Sequence, residues 1–294
     1  MVTSFLKYLH SEKRFSEHTV LAYQNDLRQF SIFLEDFYEI DDLQLVTDKM
    51  VRSWMVELSD IGISARTINR KLSTLKSLYR FSKAKGICAI NPLVNIVGPK
   101  QEKRLPEFID EKEMMHLFSS IEFEDSFKGV RDKIMLDLFY QTGMRLSELR
   151  GLKVRDIDIS KKMLKVLGKR NKERLIPLQE GMMNDLSSYI KDREKMVQAN
   201  IEALIIDNKG NMCNEKFVYR TVNSYLSAIT LATKKSPHII RHTFATHMLN
   251  RGADLNTIKE ILGHANLAAT QVYTHNSIDK LKAIYKQAHP KGQK

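Results

Sequence analysis

No stretch limits the possible folds of this 294-residue chain as sharply as residues 91–107, NPLVNIVGPKQEKRLPE. Pro92, Gly98, Pro99 and Pro106 punctuate it, and three of the chain's six prolines fall between positions 92 and 106. Proline fixes φ and lacks an amide donor, so neither a helix nor a central strand runs through such a segment. A chain of this length is also long for one hydrophobic core. Residues 91–107 therefore read as a linker, made basic by Lys100, Lys103 and Arg104, between a domain at 1–90 and a second at 108–294.

The first domain reads as all-helical. Phe5, Leu6 and Leu9 open one helix; Ser16 offers an N-cap to a second whose apolar series is Val20, Tyr23, Leu27, Phe30, Phe33 and Leu34. A third helix is expected near Asp48–Asp60, with Met50, Val51, Trp54, Met55 and Leu58 inward. A fourth, from the N-cap Ser64 to a stop at Gly86, has Ile68, Leu72, Leu75 and Tyr79 as its core stripe. At 1.5 Å per residue it spans about 31 Å. Its other face repeats Arg66, Arg70, Ser73, Ser77 and Arg80, with Lys76 and Lys83 alongside.

Charge bears on that face. Residues 61–100 hold eight basic side chains and no carboxylate, in a chain whose formal net charge is +12. By segment the balance is +3 over residues 1–100, +2 over 101–233 and +7 over 234–294. A soluble basic face is the plain alternative; a helix whose long cations bond DNA phosphates is the functional one. Arg66, Arg70, Lys76 and Arg80 are the candidate DNA contacts here. With 43% hydrophobic and 28% charged residues, composition excludes a disordered chain. No apolar run approaches the roughly 20 residues of a membrane span, and MVTSFLKYLHSEKRF lacks a signal-peptide core. Two cysteines, Cys88 and Cys213, make no disulfide framework, and a cytoplasmic location is expected.

In the second domain Asp110 caps a helix bearing Met114, Met115 and Leu117, and VRDKIMLDLFY at Val130–Tyr140 is apolar on most sides, as a buried helix is. Gly143 ends it, and a new helix begins at about Arg145. That position, directly after a buried helix, holds Arg145 rigidly, and Glu148 at i+3 is placed to fix its guanidinium. Met163–Leu167 and Arg174–Leu178 flank a turn, Gly168–Lys172, and read as a hairpin. Lys169 sits where strand meets turn, and Arg170, Lys172 and Arg174 follow as candidate groove contacts. Residues 179–233 read as helical, interrupted at Ala203–Gly210. The fold class is mainly α with a small β-sheet.

Pro237–His275 gathers His238, Arg241, His242, His247, His264, Tyr273 and His275. Arginine, histidine and tyrosine, without an acid among them, suit chemistry on an anion. His238 and Arg241 lie one turn apart at a helix start, where free amides favour phosphate. A further helix, Asn256–Leu262, ends at Gly263 with His264 beside it, and Tyr273 follows as a candidate nucleophile. His238 and His242 have the i, i+4 spacing of a zinc pair. The HExxH glutamate is missing, however, and Arg241 repels a dication, so no metal is expected.

Four segments in this order carry a resemblance: TGMRLSEL around Arg145, LGKRNKERLIPL around Lys169, HIIRHTFATHML around His238 and Arg241, and ILGHANLAATQVYTH around His264 and Tyr273. The chain resembles the tyrosine recombinases of the phage-integrase family over nearly its whole length, most closely the bacterial Xer branch. The resemblance implies a two-domain DNA clamp: a helical, SAM-like core-binding domain and a tyrosine-recombinase catalytic domain. It implies that Tyr273 attacks the scissile phosphate, that Arg145 and Arg241 brace its oxygens, and that Lys169 protonates the leaving 5′-oxygen. His238 and His264 would assist, Glu148 would orient the set, and no cofactor is needed. The implied partners are double-stranded DNA, a homo- or hetero-tetramer with another recombinase, and a septal DNA translocase; no membrane is involved. The implied role is resolution of chromosome dimers at cell division. Integration or transposition of a mobile element, a type IB topoisomerase and a DNA-binding regulator with a decayed site stand as alternatives. Ile278, Leu281, Ile284 and Tyr285 form an amphipathic C-terminal helix suited either to exchange between protomers or to packing on its own domain.

Overall fold

Serine hydroxyls start two of the helices in the N-terminal half, as side-chain acceptors for otherwise orphaned amides do. In the computed structural model Ser16 caps α2 (Glu17–Tyr38) and Ser64 caps α4 (Ala65–Ala84). They follow α1 (Val2–Ser11), and α3 (Asp48–Asp60) lies between them, capped by Thr47. The structure describes residues 1–101, 107–168, 172–263 and 275–293, with backbone alone at 275–280 and 292–293. It divides into two units, Met1–Arg104 and Leu105–Lys294.

The first unit buries one apolar stripe from each of its four helices: Phe5 and Leu9, Leu27 and Phe30, Val51 and Trp54, Leu72 and Leu75. Leu93 and Ile96 join that core. The Pro/Gly segment is thus not a free tether throughout: residues 91–99 fold back on α3 and α4. Asn69 Nδ2 donates to Pro99 O at 2.8 Å and Lys76 Nζ to Ile96 O at 2.8 Å.

The second unit is built around α6 (Phe127–Thr142), which buries Ile134, Leu136, Leu138 and Phe139 on nearly every side. Around it pack α5 (Glu111–Ser119), α7 (Leu146–Gly151), α8 (Glu180–Glu194), α9 (Glu215–Ile229), α10 (Pro237–Asn250) and α11 (Leu255–Leu262). The hairpin forms as β2 (Met163–Leu167) and β3 (Glu173–Pro177), paired antiparallel with Val166 opposite Arg174. A two-residue strand, β1 (Ile157–Asp158), adds to β2 and makes an antiparallel sheet of order β1-β2-β3. The sequence reading had no strand there, because two residues are too short to show alternation.

The C-terminal helix α12 (His275–Ala288) packs on its own unit in the single chain. Leu281, Tyr285 and Ala288 are buried in the α6–α10 core, and Tyr285 Oη donates to Gln141 O at 2.8 Å. His289 follows, fully buried between the rings of Tyr140, Phe244 and Tyr285.

Candidate active site

The site grows from the end of the most buried helix. Gly143 closes α6 at φ +58°. A Cβ there would lie 2.6 Å from Phe244 Cδ1 and 2.7 Å from Leu262 Cδ2, so both the conformation and the close approach require glycine. The next turn delivers Arg145 as the N-cap residue of α7. Glu148 then holds it at two points. Its Oε2 accepts the Arg145 backbone amide at 2.8 Å, and its Oε1 accepts the guanidinium Nη1 at 2.8 Å. Nε and Nη2 of Arg145 have no hydrogen-bond partner among the described residues, and the side chain is 26% exposed. The guanidinium is therefore anchored at one edge and open at the other.

Arg241, one turn into α10, is braced differently. Nη1 donates to Gly143 O at 2.6 Å and Nη2 to Leu262 O at 2.8 Å. Each nitrogen carries a second hydrogen for an incoming acceptor. Burial, and next the nearby charge of Arg145, push this guanidinium down to about 10. It remains protonated at neutral pH, but the charge of Glu148 offsets its burial and the neighbouring arginines only in part, so an anion beside it is favoured.

Glu148 supplies the negative charge of the cluster. Burial opposes ionisation, but the hydrogen bonds and charge of Arg174, joined by the backbone and side-chain hydrogen bonds of Arg145, outweigh it and hold the carboxyl below its ordinary range. Among the described residues, Arg145, Arg174 and Arg241 against the Glu148 carboxylate leave the pocket net positive.

Arg174 corrects an expectation. It is not a groove contact: its side chain is only 5% exposed. Nη1 and Nη2 donate to Glu148 Oε1 and Oε2 at 3.1 and 2.8 Å, and Nε donates to Ile261 O at 2.7 Å. The register explains this, because Arg174 shares the inward face of β3 with Ile176 and sits opposite the buried Val166. Lys172, at the hairpin turn, is exposed.

His238 lies in the first turn of α10, exposed, three residues before Arg241. His247 is structural. Its Nε2 meets Ile109 O at 3.0 Å, and a carbonyl only accepts, so Nε2 carries the proton; Nδ1 then accepts from Tyr140 Oη at 3.0 Å. Lys169, Arg170, His264 and Tyr273 lie outside the described residues. The described chain adjoins them at Gly168, whose amide donates to Lys172 O at 2.8 Å, and at Gly263, the αL residue closing α11.

On α4 in the first unit, Arg66 and Arg80 are exposed. Arg70, half exposed, pairs with Asp26, and Lys76 is engaged by Ile96 O. Sequence reasoning missed Asp26, a buried carboxylate on α2 that also accepts from Lys71 Nζ at 3.3 Å and Thr74 Oγ1 at 2.9 Å. The signal was present, since Asp26 shares a helical face with Tyr23, Leu27 and Phe30 and so occupies a core position.

With this geometry in hand, likeness to known proteins becomes informative. Residues 107–279 match the phage integrase family, and residues 2–86 match the phage integrase N-terminal SAM-like domain. The tyrosine recombinase XerC of Staphylococcus epidermidis is 41% identical over 293 residues, covering 99% of this chain and 97% of that one. The XerC of Staphylococcus saprophyticus is 39% identical over 291 residues, with the same coverage. Among solved structures, the XerH site-specific recombinase in a post-cleavage complex with its palindromic difH substrate shares the fold at TM-score 0.73. That likeness comes with 20% identity and covers 99% of this chain and 92% of that one. The fold, the paired arginines on a shared scaffold and the full-length likeness lead to one conclusion: the chain belongs to the phage integrase family, the tyrosine recombinases.

Proposed function

We propose that the chain is a site-specific recombinase that cuts and rejoins duplex DNA through a 3′-phosphotyrosyl intermediate, with Tyr273 as nucleophile. One observation carries the reading: Arg145 and Arg241, from separate helices, are fixed by Glu148, Gly143 O and Leu262 O while keeping donors for an anion. Such oriented donors act where charge develops on a phosphoryl oxygen, and each is worth roughly 10²–10³ in rate.

In this reading the Tyr273 oxygen forms a bond to phosphorus as the bond to the 5′-oxygen breaks. The phenol's proton passes toward His238, and the leaving oxygen takes a proton from Lys169. Arg145, Arg241 and His264 stabilise the pentavalent transition state. A phenol with an ordinary pKa of about 10 is a weak nucleophile at neutral pH, so the cationic surroundings supply its activation. The phosphotyrosine keeps the energy of the broken bond, and a 5′-hydroxyl attacking it rejoins the strand.

The names of the XerC relatives favour chromosome-dimer resolution; assembly as a tetramer on DNA, with itself or a second recombinase, follows the lambda integrase tetramer bound to a Holliday junction. A septal translocase would be the regulator. A nicked suicide duplex tests the chemistry. Tyr273→Phe binds it but forms no adduct that survives denaturation, and a 5′-thiolate leaving group, which needs little protonation, largely restores cleavage by Lys169→Ala. An adduct with Tyr273→Phe removes the nucleophile assignment, and absence of thiolate rescue reduces Lys169 to a binding role. Sequencing the DNA attached to the protein in cells tests the biological role: one chromosomal site supports dimer resolution, and element ends replace it with mobility.

A further inference from the structure

We propose that Arg174 is a positioning residue for the phosphate clamp, acting on Arg145 through Glu148; the proposal rests on the reading of Arg145 and Arg241 as that clamp. Glu148 accepts from Arg145 on one side and Arg174 on the other, and each carboxylate oxygen receives one bond from each arginine. Arg174 uses all three guanidinium nitrogens internally, its Nε reaching Ile261 O at the end of α11. It thus ties β3 to α7 and α11. The fit is close: a Cβ on Gly263 would lie 3.1 Å from both Cδ and Nη1 of Arg174.

Electrostatics gives the arrangement a purpose. A lone carboxylate beside Arg145 would neutralise the charge that the clamp needs and draw the guanidinium inward. Sharing Glu148 with a second, buried guanidinium fixes the carboxylate in plane and leaves Arg145 with net positive charge for phosphate. Lysine cannot replace it, because one ammonium does not present the two-pronged edge plus a third donor along Nε. Arg174 never meets DNA in this scheme. Its effect on rate passes through the geometry and charge of Arg145.

The experiment compares wild type, Arg174→Lys and Arg174→Met with Arg145→Ala as the control, on two nicked suicide duplexes of the target site. One carries the natural scissile phosphate; the other carries a neutral methylphosphonate there, which lowers the demand for positive charge. The expected result is a fall of about 10²-fold in single-turnover cleavage of the phosphate by Arg174→Lys, the loss typical of one misplaced donor. On the methylphosphonate the deficit shrinks to less than about tenfold, in parallel with Arg145→Ala, while DNA affinity and its salt slope stay at wild-type values. Arg174→Lys retains a charge in the core and is the variant expected to fold; circular dichroism and the binding assay check that it has. Equal deficits on both substrates make the role merely structural and overturn the proposal. A salt slope shallower by about one makes Arg174 a phosphate contact and overturns it as well. If Arg145→Ala itself cleaves the phosphate normally, the clamp reading has failed rather than the assignment of Arg174.

Discussion

Glu148 is where the chemistry of single residues is concentrated. Its carboxylate sits between two guanidiniums at 2.8–3.1 Å, largely out of water. Removing one partner of such a group leaves a buried charge uncompensated, at a cost of about 3–5 kcal/mol. Glu148→Ala is therefore expected to lower unfolding free energy by that order in a denaturant titration at pH 7. The pH dependence follows from the depressed carboxyl. The unfolded chain protonates near the ordinary glutamate value of about 4.3 while the folded one resists. The stabilisation is complete above that value and is lost as pH falls below it through the lower folded value. The gap between wild type and Glu148→Gln should narrow across that acidic range; a gap that widens there contradicts the assignment. At this scale the sequence was partly legible. Arg145 with Glu148 at i+3 was readable because helical spacing makes the contact. Arg174 was misread because a run of cations near a turn suggests a solvent-facing tip. The alternation shared with Ile176, and the buried Val166 opposite, pointed inward instead.

At the scale of elements, caps and stops were the most readable features, since Ser16, Ser64, Asp110, Gly143 and Gly263 each act locally. What depended on tertiary contact was not readable: the two-residue β1, and the return of residues 91–99 onto α3 and α4 through Leu93 and Ile96. The seat of α12 belongs here too. His289 anchors it with Nε2–H donating to Tyr140 O at 3.1 Å and Nδ1 accepting from the Lys291 amide at 3.1 Å, so both ring nitrogens are committed to the neutral form. Burial is the main cause that pushes this imidazole down to about 3; the hydrogen bond to Tyr140 O opposes it, while the charges of Lys291, His247 and Arg251 add to it. Because the unfolded chain takes up the proton near 6.5 and the folded one does not, stability is full above about 6.5 and falls as pH drops toward 3. Limited proteolysis should release the segment after α11 faster at pH 5 than at pH 7.5. His289→Phe should show a smaller pH effect; an unchanged effect assigns it to other groups.

For the molecule as a whole, a net charge of +12 and a 40-residue window without a carboxylate direct it toward a polyanion. Fixed exposed cations release counterions when they meet phosphates, so affinity for duplex DNA should fall steeply with salt. Arg66→Ala and Arg80→Ala, both on the exposed face of α4, should each reduce the logarithmic slope by about one without shifting target preference. An unchanged slope makes α4 a solvated surface only. Family membership was legible in four segments far apart in the chain, and two of the arginines they carry meet across the end of α6.

In the proposed function this scaffold serves a tyrosine attacking a DNA phosphate. The sharpest test is mass spectrometry of the covalent complex formed on a nicked suicide duplex, after nuclease and protease digestion. One modified peptide is expected, with a nucleotide joined through its 3′-phosphate to Tyr273 and a free 5′-hydroxyl on the released strand. A nucleotide on another residue, a 5′-phosphate linkage, or cleavage without any adduct would contradict it.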